Sequence, residues 1–193
     1  MRRRGVLLLP VWLAGCGLSE RPYAERREWP LLVRRGRSLP PRPGGAVLEV
    51  RALRAGPGLE VRGLQVLQPD GSVRTEYYEE WAVPPAQGVE DALRVWLAEC
   101  GRFAAVVPPG STMPADQVLE GELTALWSEP AAGRAHAALG VVVVEQRAVV
   151  PRILLQRTEA ADAPLADIGA PAEVAGQIAA LAEVFSAIEA ALG

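Results

Sequence analysis

A chain of 193 residues, half of them hydrophobic and with a formal net charge of −3, can build one domain with a real core but not two sizeable ones. Its basic residues are all arginine, and the lack of lysine excludes a phosphate-cradling Gly-x4-Gly-Lys loop and a Schiff-base enzyme. The acidic balance offers no basic surplus for nucleic acid, and one histidine with two cysteines cannot assemble a familiar zinc site.

The chain opens with Arg2, Arg3 and Arg4, then an apolar run from Gly5 to Gly15 broken by Pro10. Eleven residues of helix reach about 16 Å, against a hydrocarbon core of about 30 Å, so this is a signal peptide rather than a span. The tetrad Leu13-Ala14-Gly15-Cys16 resembles the bacterial lipobox. That resemblance implies cleavage after residue 15 and acyl chains such as palmitate on Cys16. The mature chain would then have a net charge of −6. Two or three acyl chains make a stable anchor where one gives only marginal binding. With Cys16 acylated, Cys100 is left as a single, buried structural thiol. Gly17, rather than Asp, after the cysteine implies sorting to the outer membrane. Residues 17–30 are mostly polar or charged and read as the tether of a segment 16–30, with a reach of at most about 48 Å.

Leu31-Leu32-Val33 reads as a short strand, and 39–45 as a Pro/Gly loop. Val47 to Leu53 partly alternates and predicts a strand. Val61 to Leu67 and Val73 to Glu79 flank Pro69-Asp70-Gly71 and predict a hairpin. Pro84 and Pro85 open a helix with Val89, Leu93, Trp96 and Cys100 on one face and Gly101 as its cap. Phe103 to Val107 follows as a strand, so the helix reads as a crossover connection. Val118 to Trp127, Ala135 to Gln146 and Val149 to Arg157 predict three long strands. The run Val141 to Val144 suggests a central strand buried on both faces. Residues 159–171 read as a loop. Val174, Ile178, Leu181, Phe185, Ile188 and Leu192 mark the clearest helix of the chain, suited to packing on a sheet. The sum is a single α/β domain over 31–193, with a mixed sheet of six to eight strands and two main amphipathic helices.

No catalytic constellation is legible. His136 lies out of phase with Ala135, Ala137 and Leu139 and should face the wetter side of its strand. Ser111 sits on a loop outside any nucleophile-elbow pattern. Glu76, Glu79 and Glu80 read as solvated charge. The segment Glu76 to Pro85 concentrates Tyr77, Tyr78 and Trp81. Trp81 suits the corner between sheet and helix. The three aromatics are also a candidate partner surface, because Tyr and Trp are enriched at interface cores.

Tyr77-Tyr78, Trp81 and Pro84-Pro85, the following helix and Gly101-x-Phe103 together resemble the ABC-type transport auxiliary lipoprotein family. Ala55-Gly56-Pro57-Gly58-Leu59, Asp70-Gly71, Val118 to Leu123 and the final helix fit the same pattern, over roughly 29–192. The resemblance implies an α/β fold similar to the anticodon-binding-domain-like group. It implies a non-enzymatic, periplasm-facing outer-membrane lipoprotein without cofactor or metal. Its implied partner is the MCE-domain protein of an ABC transporter that moves phospholipid or other hydrophobic cargo between membranes. A lipid-binding carrier or chaperone, an outer-membrane assembly lipoprotein and a periplasmic hydrolase are the competing readings. Homo-oligomerisation stays open.

Overall fold

The computed structural model describes residues 25–148 and 150–193. The signal segment, Cys16 and most of the expected tether lie outside the described residues.

The spine of the fold is an antiparallel meander of three long strands: β7 (Gln117–Glu129), β8 (Arg134–Glu145) and β9 (Arg152–Pro164). β8 pairs with β7 from Glu145 opposite Gln117 to Arg134 opposite Glu129, which fills one edge of β7 along its whole length. The other edge takes three short strands in succession. β2 (Val47–Val50) lies against 117–119, β3 (Arg54–Ala55) against 122–123, and the end of β4 (Gly63–Leu67) against Ser128. β6 (Ala105–Val107) adds outside β2, β5 (Val73–Trp81) outside β4, and β1 (Arg27–Trp29) outside β5. The described residues thus form one nine-stranded mixed sheet, larger than the six to eight strands expected.

Two helices cover one face. α1 (Pro85–Ala98) starts with Pro85 in its first turn, where the missing N–H costs nothing, and ends ahead of Gly101 at φ +74. Its Val89, Leu93 and Leu97 are fully buried against Leu48, Leu64 and their neighbours. α2 (Ala170–Ala191) packs on β7, β8 and β9 through Val174, Leu181, Phe185 and Ile188. It is long and apolar enough to cross a bilayer, but its buried face belongs to the core. Burying each such Leu or Phe contributes about 1.5–3 kcal/mol.

Several sequence expectations need correction. Arg27–Trp29, read as tether, is a parallel strand on β5, with Trp29 opposite Trp81. Leu31 to Val33 alternates as a strand should, yet joins no ladder: Leu31 and Val33 are buried and Leu32 exposed, in an extended strap along α1. α1 does not make a parallel crossover. β5 has already turned back on β4 through Asp70-Gly71, so it runs antiparallel to β6. Val141 and Val143 are buried but Val142 and Val144 only half-buried, because among the described residues no helix covers the outer face of β8. Finally, β9 continues to Pro164, where a loop was expected, because Ala161 and Ala163 pair with Ala137 and Ala135 beneath α2.

Candidate functional site

Trp81 and the two tyrosines part company in the structure. Trp81 is 1% exposed and fills the corner between β5 and α1, so it is removed from the candidate partner surface. Its amide N–H donates to the Arg62 carbonyl at 2.8 Å. The next amide, of Ala82, donates to the Trp29 carbonyl at 2.8 Å, which clamps β1 onto the corner. The Trp29 indole N–H closes the edge by donating to Glu79 at 2.7 Å.

Tyr77 and Tyr78 instead stand out from the sheet on a bulge. The β4–β5 ladder pairs Gln65 with Thr75 and Gly63 with Glu80, so four residues of β5 face Leu64 alone. Such an insertion breaks the ladder and re-aims side chains. Gly63 permits it: a Cβ there would lie inside contact distance of the Glu76 carbonyl oxygen and 2.6 Å from Thr75 Cγ2. Tyr77 is 67% and Tyr78 48% exposed, with rings edge-on at 5.0 Å. The Arg26 guanidinium lies 4.8 Å from the centre of the Tyr77 ring, a cation–π contact. Ion pairs Arg27–Glu79 at 2.8 Å, Arg26–Glu80 at 3.5 Å and Arg62–Glu28 at 3.1 Å rim the pair, and Arg62 also meets Glu80. Glu80, read from the sequence as solvated charge, is in fact 8% exposed and meets both Arg26 and Arg62. Of these arginines, Arg26 is the one that reaches the aromatic pair, through the Tyr77 ring.

A second surface had no sequence signal. The strap at 31–38 and α1 enclose a cleft of about 460 Å³, floored by Leu31, Leu32, Ala92 and Val95 and rimmed by Arg34, Asp91 and Glu99. Behind it, the Arg35 guanidinium donates twice to the Glu189 carboxylate, at 2.8 and 3.1 Å, and the Trp96 indole N–H donates to it at 2.8 Å. The Arg35 hydrogen bond, with help from Trp96, holds the Glu189 carboxyl below the usual glutamate range.

Potential catalytic groups are dispersed. His136 faces the helix-free side of the sheet, as expected, with Nδ1 2.6 Å from Asp162 and its ring tilted against Trp127. The His136 hydrogen bond lowers the Asp162 carboxyl. Ser111 is exposed on its loop, where its Oγ accepts from the Met113 amide at 3.2 Å. Glu76, Glu79 and Glu80 each pair with an arginine. Cys100 is buried, and burial raises its thiol above the ordinary range. Among the described residues, no group of three His, Cys, Asp or Glu is arranged to hold a metal ion.

Residues 33–189 match a family model described as the ABC-type transport auxiliary lipoprotein component. No curated protein matches the chain. Solved structures share the fold. Protein XCC0632 from Xanthomonas campestris is 19% identical and superposes with a TM-score of 0.65, covering 79% of this chain and 88% of that one. Another, described only as an uncharacterized protein, is 15% identical, with a TM-score of 0.66 and coverage of 81% and 96%. The hypothetical protein CT253 from Chlamydia trachomatis is 11% identical, with a TM-score of 0.54 and coverage of 77% and 98%.

Proposed function

The chain belongs to the ABC-type transport auxiliary lipoprotein family, and from that premise we propose that it is a non-enzymatic docking component of an MCE-type transport system. Acyl chains on Cys16 hold it on the periplasmic side of the outer membrane. The Tyr77–Tyr78 bulge receives the MCE-domain protein, and the cargo passing between membranes is phospholipid or another hydrophobic molecule. The observation that carries the docking role is the exposure of two adjacent tyrosines, Tyr77 under the Arg26 guanidinium and Tyr78 edge-on to it, beside β1, the strand that the anchored segment leads into. An anchored domain sits at high local concentration, so a modest contact suffices to hold a partner. The test is a crosslinking pull-down from membranes with wild type, Cys16→Ala and Tyr77→Ser/Tyr78→Ser. Wild type should recover an MCE protein and both variants should recover less. Recovery of no MCE or ABC component by wild type would overturn the reading.

The cleft between the strap and α1 favours a second reading, a carrier for one acyl chain, because its floor is aliphatic and open to solvent. Native mass spectrometry of protein extracted from membranes decides it: stoichiometric phospholipid beyond the covalent anchor supports the carrier.

A further inference from the structure

Among the described residues, strand β9 pairs only with β8, and its other edge is open over residues 152–164. Open edges recruit other strands, and proteins commonly blunt them with bulges and charge. The N-terminal part of β9 carries such a bulge, since Leu154 is passed over between Ile153 opposite Val144 and Leu155 opposite Val143. From Leu155 to Pro164 the ladder is regular. That regular edge has a self-complementary charge pattern. Arg157 and Glu159 lie on the same face, 3.0 Å apart in an ion pair, with Thr158 between them on the opposite face.

We propose that β9 is the dimerisation edge of this protein and that its occupant is β9 of a second copy, antiparallel, with Thr158 facing Thr158 across a two-fold axis. An antiparallel pair keeps opposed side chains on one face, so a symmetric register must centre on a residue. Centring on Arg157 opposes two guanidiniums, and centring on Glu159 opposes two carboxylates. Centring on Thr158 sets each Arg157 against the other copy's Glu159 and makes an alternating square of four charges. In that register Leu155 meets Ala161, and Gln156 meets Ala160. Opposite charges facing across strands stabilise a pair, and like charges oppose it.

The arrangement also suits one anchoring surface. With the two-fold along the membrane normal the sheet lies flat, and the eleven residues from Cys16 to Arg26 can extend about 37 Å toward the bilayer from either copy.

The test uses the full-length lipoprotein in its membrane under mild oxidation. Opposed residues of an antiparallel pair have Cα atoms about 4.5–5.5 Å apart, within disulfide range. Thr158→Cys should give a disulfide dimer, while Gln156→Cys and Ala160→Cys should not, since each then lies several residues from its own copy. Buried Cys100 supplies no competing thiol. Arg157→Glu should lower the Thr158→Cys crosslink at least tenfold, and adding Glu159→Arg should restore it. Failure of Thr158→Cys to crosslink, equal crosslinking at all three positions, or no effect of the charge reversal overturns the proposal. Because no step involves the MCE partner, a negative pull-down leaves this result intact, and the reverse also holds.

Discussion

The indole N–H of Trp96 in α1 donates to the carboxylate of Glu189 in α2 at 2.8 Å, and this hydrogen bond ties together the two helices. The same carboxylate receives Arg35 from the strap, so three segments distant in sequence meet on one side chain.

Removing that carboxylate should loosen all three. Hydrogen bonds to a charged group contribute about 1.5–3 kcal/mol, so Glu189→Ala should cost about 2 kcal/mol in urea unfolding of the detergent-solubilised protein. The pH dependence follows from the lowered Glu189 carboxyl. The unfolded group titrates near its ordinary value of about 4.3, so its contribution is full above that pH. It fades as pH falls through the lower folded value. The stability gap between wild type and Glu189→Gln should therefore be constant near neutrality and close only as pH falls below the ordinary glutamate value of about 4.3 and on through the lower folded value. A gap that stays undiminished on acidification would show that the charge is not what binds the helices.

The Tyr77-Tyr78-Trp81 segment should separate by stability. Trp81→Ala empties a fully buried corner and should cost about 3–5 kcal/mol. Tyr77→Ser and Tyr78→Ser remove exposed rings and should each change stability by no more than about 1 kcal/mol, including the lost cation–π contact of Tyr77. Thermal unfolding of the three variants checks this. Comparable losses at all three positions would mean that the tyrosines are part of the core rather than a surface.

Locally encoded elements were legible in the sequence. The faces of α1 and α2 follow from apolar spacing, and Gly101 stops α1 because its positive φ is open to glycine. What the sequence concealed depends on distant partners. Arg27-Glu28-Trp29 has no strand pattern of its own, and becomes a strand because β5 offers an edge on which Arg27 meets Glu79. Leu31 to Val33 carries a strand pattern but finds α1 rather than an edge. Ala160 to Pro164 looks like a loop until β8 supplies a partner of alanines. In the candidate surface, Tyr77 and Tyr78 announce themselves by composition. Their separation from Trp81 needs the bulge opposite Leu64, which no local pattern reports. The cleft joins residues 31–38 to residues 91–99 and exists only in the folded chain.

Gly176 should reverse the usual rule for helix glycines. Exchanging glycine for alanine inside a helix normally stabilises by about 1 kcal/mol. Here a new Cβ would lie 2.5 Å from Leu165 Cδ2 and 3.0 Å from Ala135 Cβ on β8. Leu165 can rotate aside, but the Ala135 methyl is fixed by its strand. Overpacking costs about 1–3 kcal/mol, so Gly176→Ala should be net destabilising by about 1 kcal/mol, against a gain expected from propensity alone. A rise in the thermal midpoint would show that α2 is free to lift from the sheet.

Cys100 should behave as a gauge of global opening. Its thiol is 4% exposed and donates to the Leu97 carbonyl at 3.0 Å, and burial raises its pKa. Since the thiolate is the reactive form, both access and ionisation protect it. At pH 8 the folded protein should react with a maleimide far more slowly than the urea-unfolded chain, by a factor of at least about 100. Destabilising α1 by Trp96→Phe, which removes the indole donor to Glu189, should raise the folded-state rate in step with the loss of stability, since labelling then proceeds through opening. Rapid labelling of wild type would instead place the thiol at a surface and contradict the packing of Cys100 beneath Leu39 and the last turn of α1.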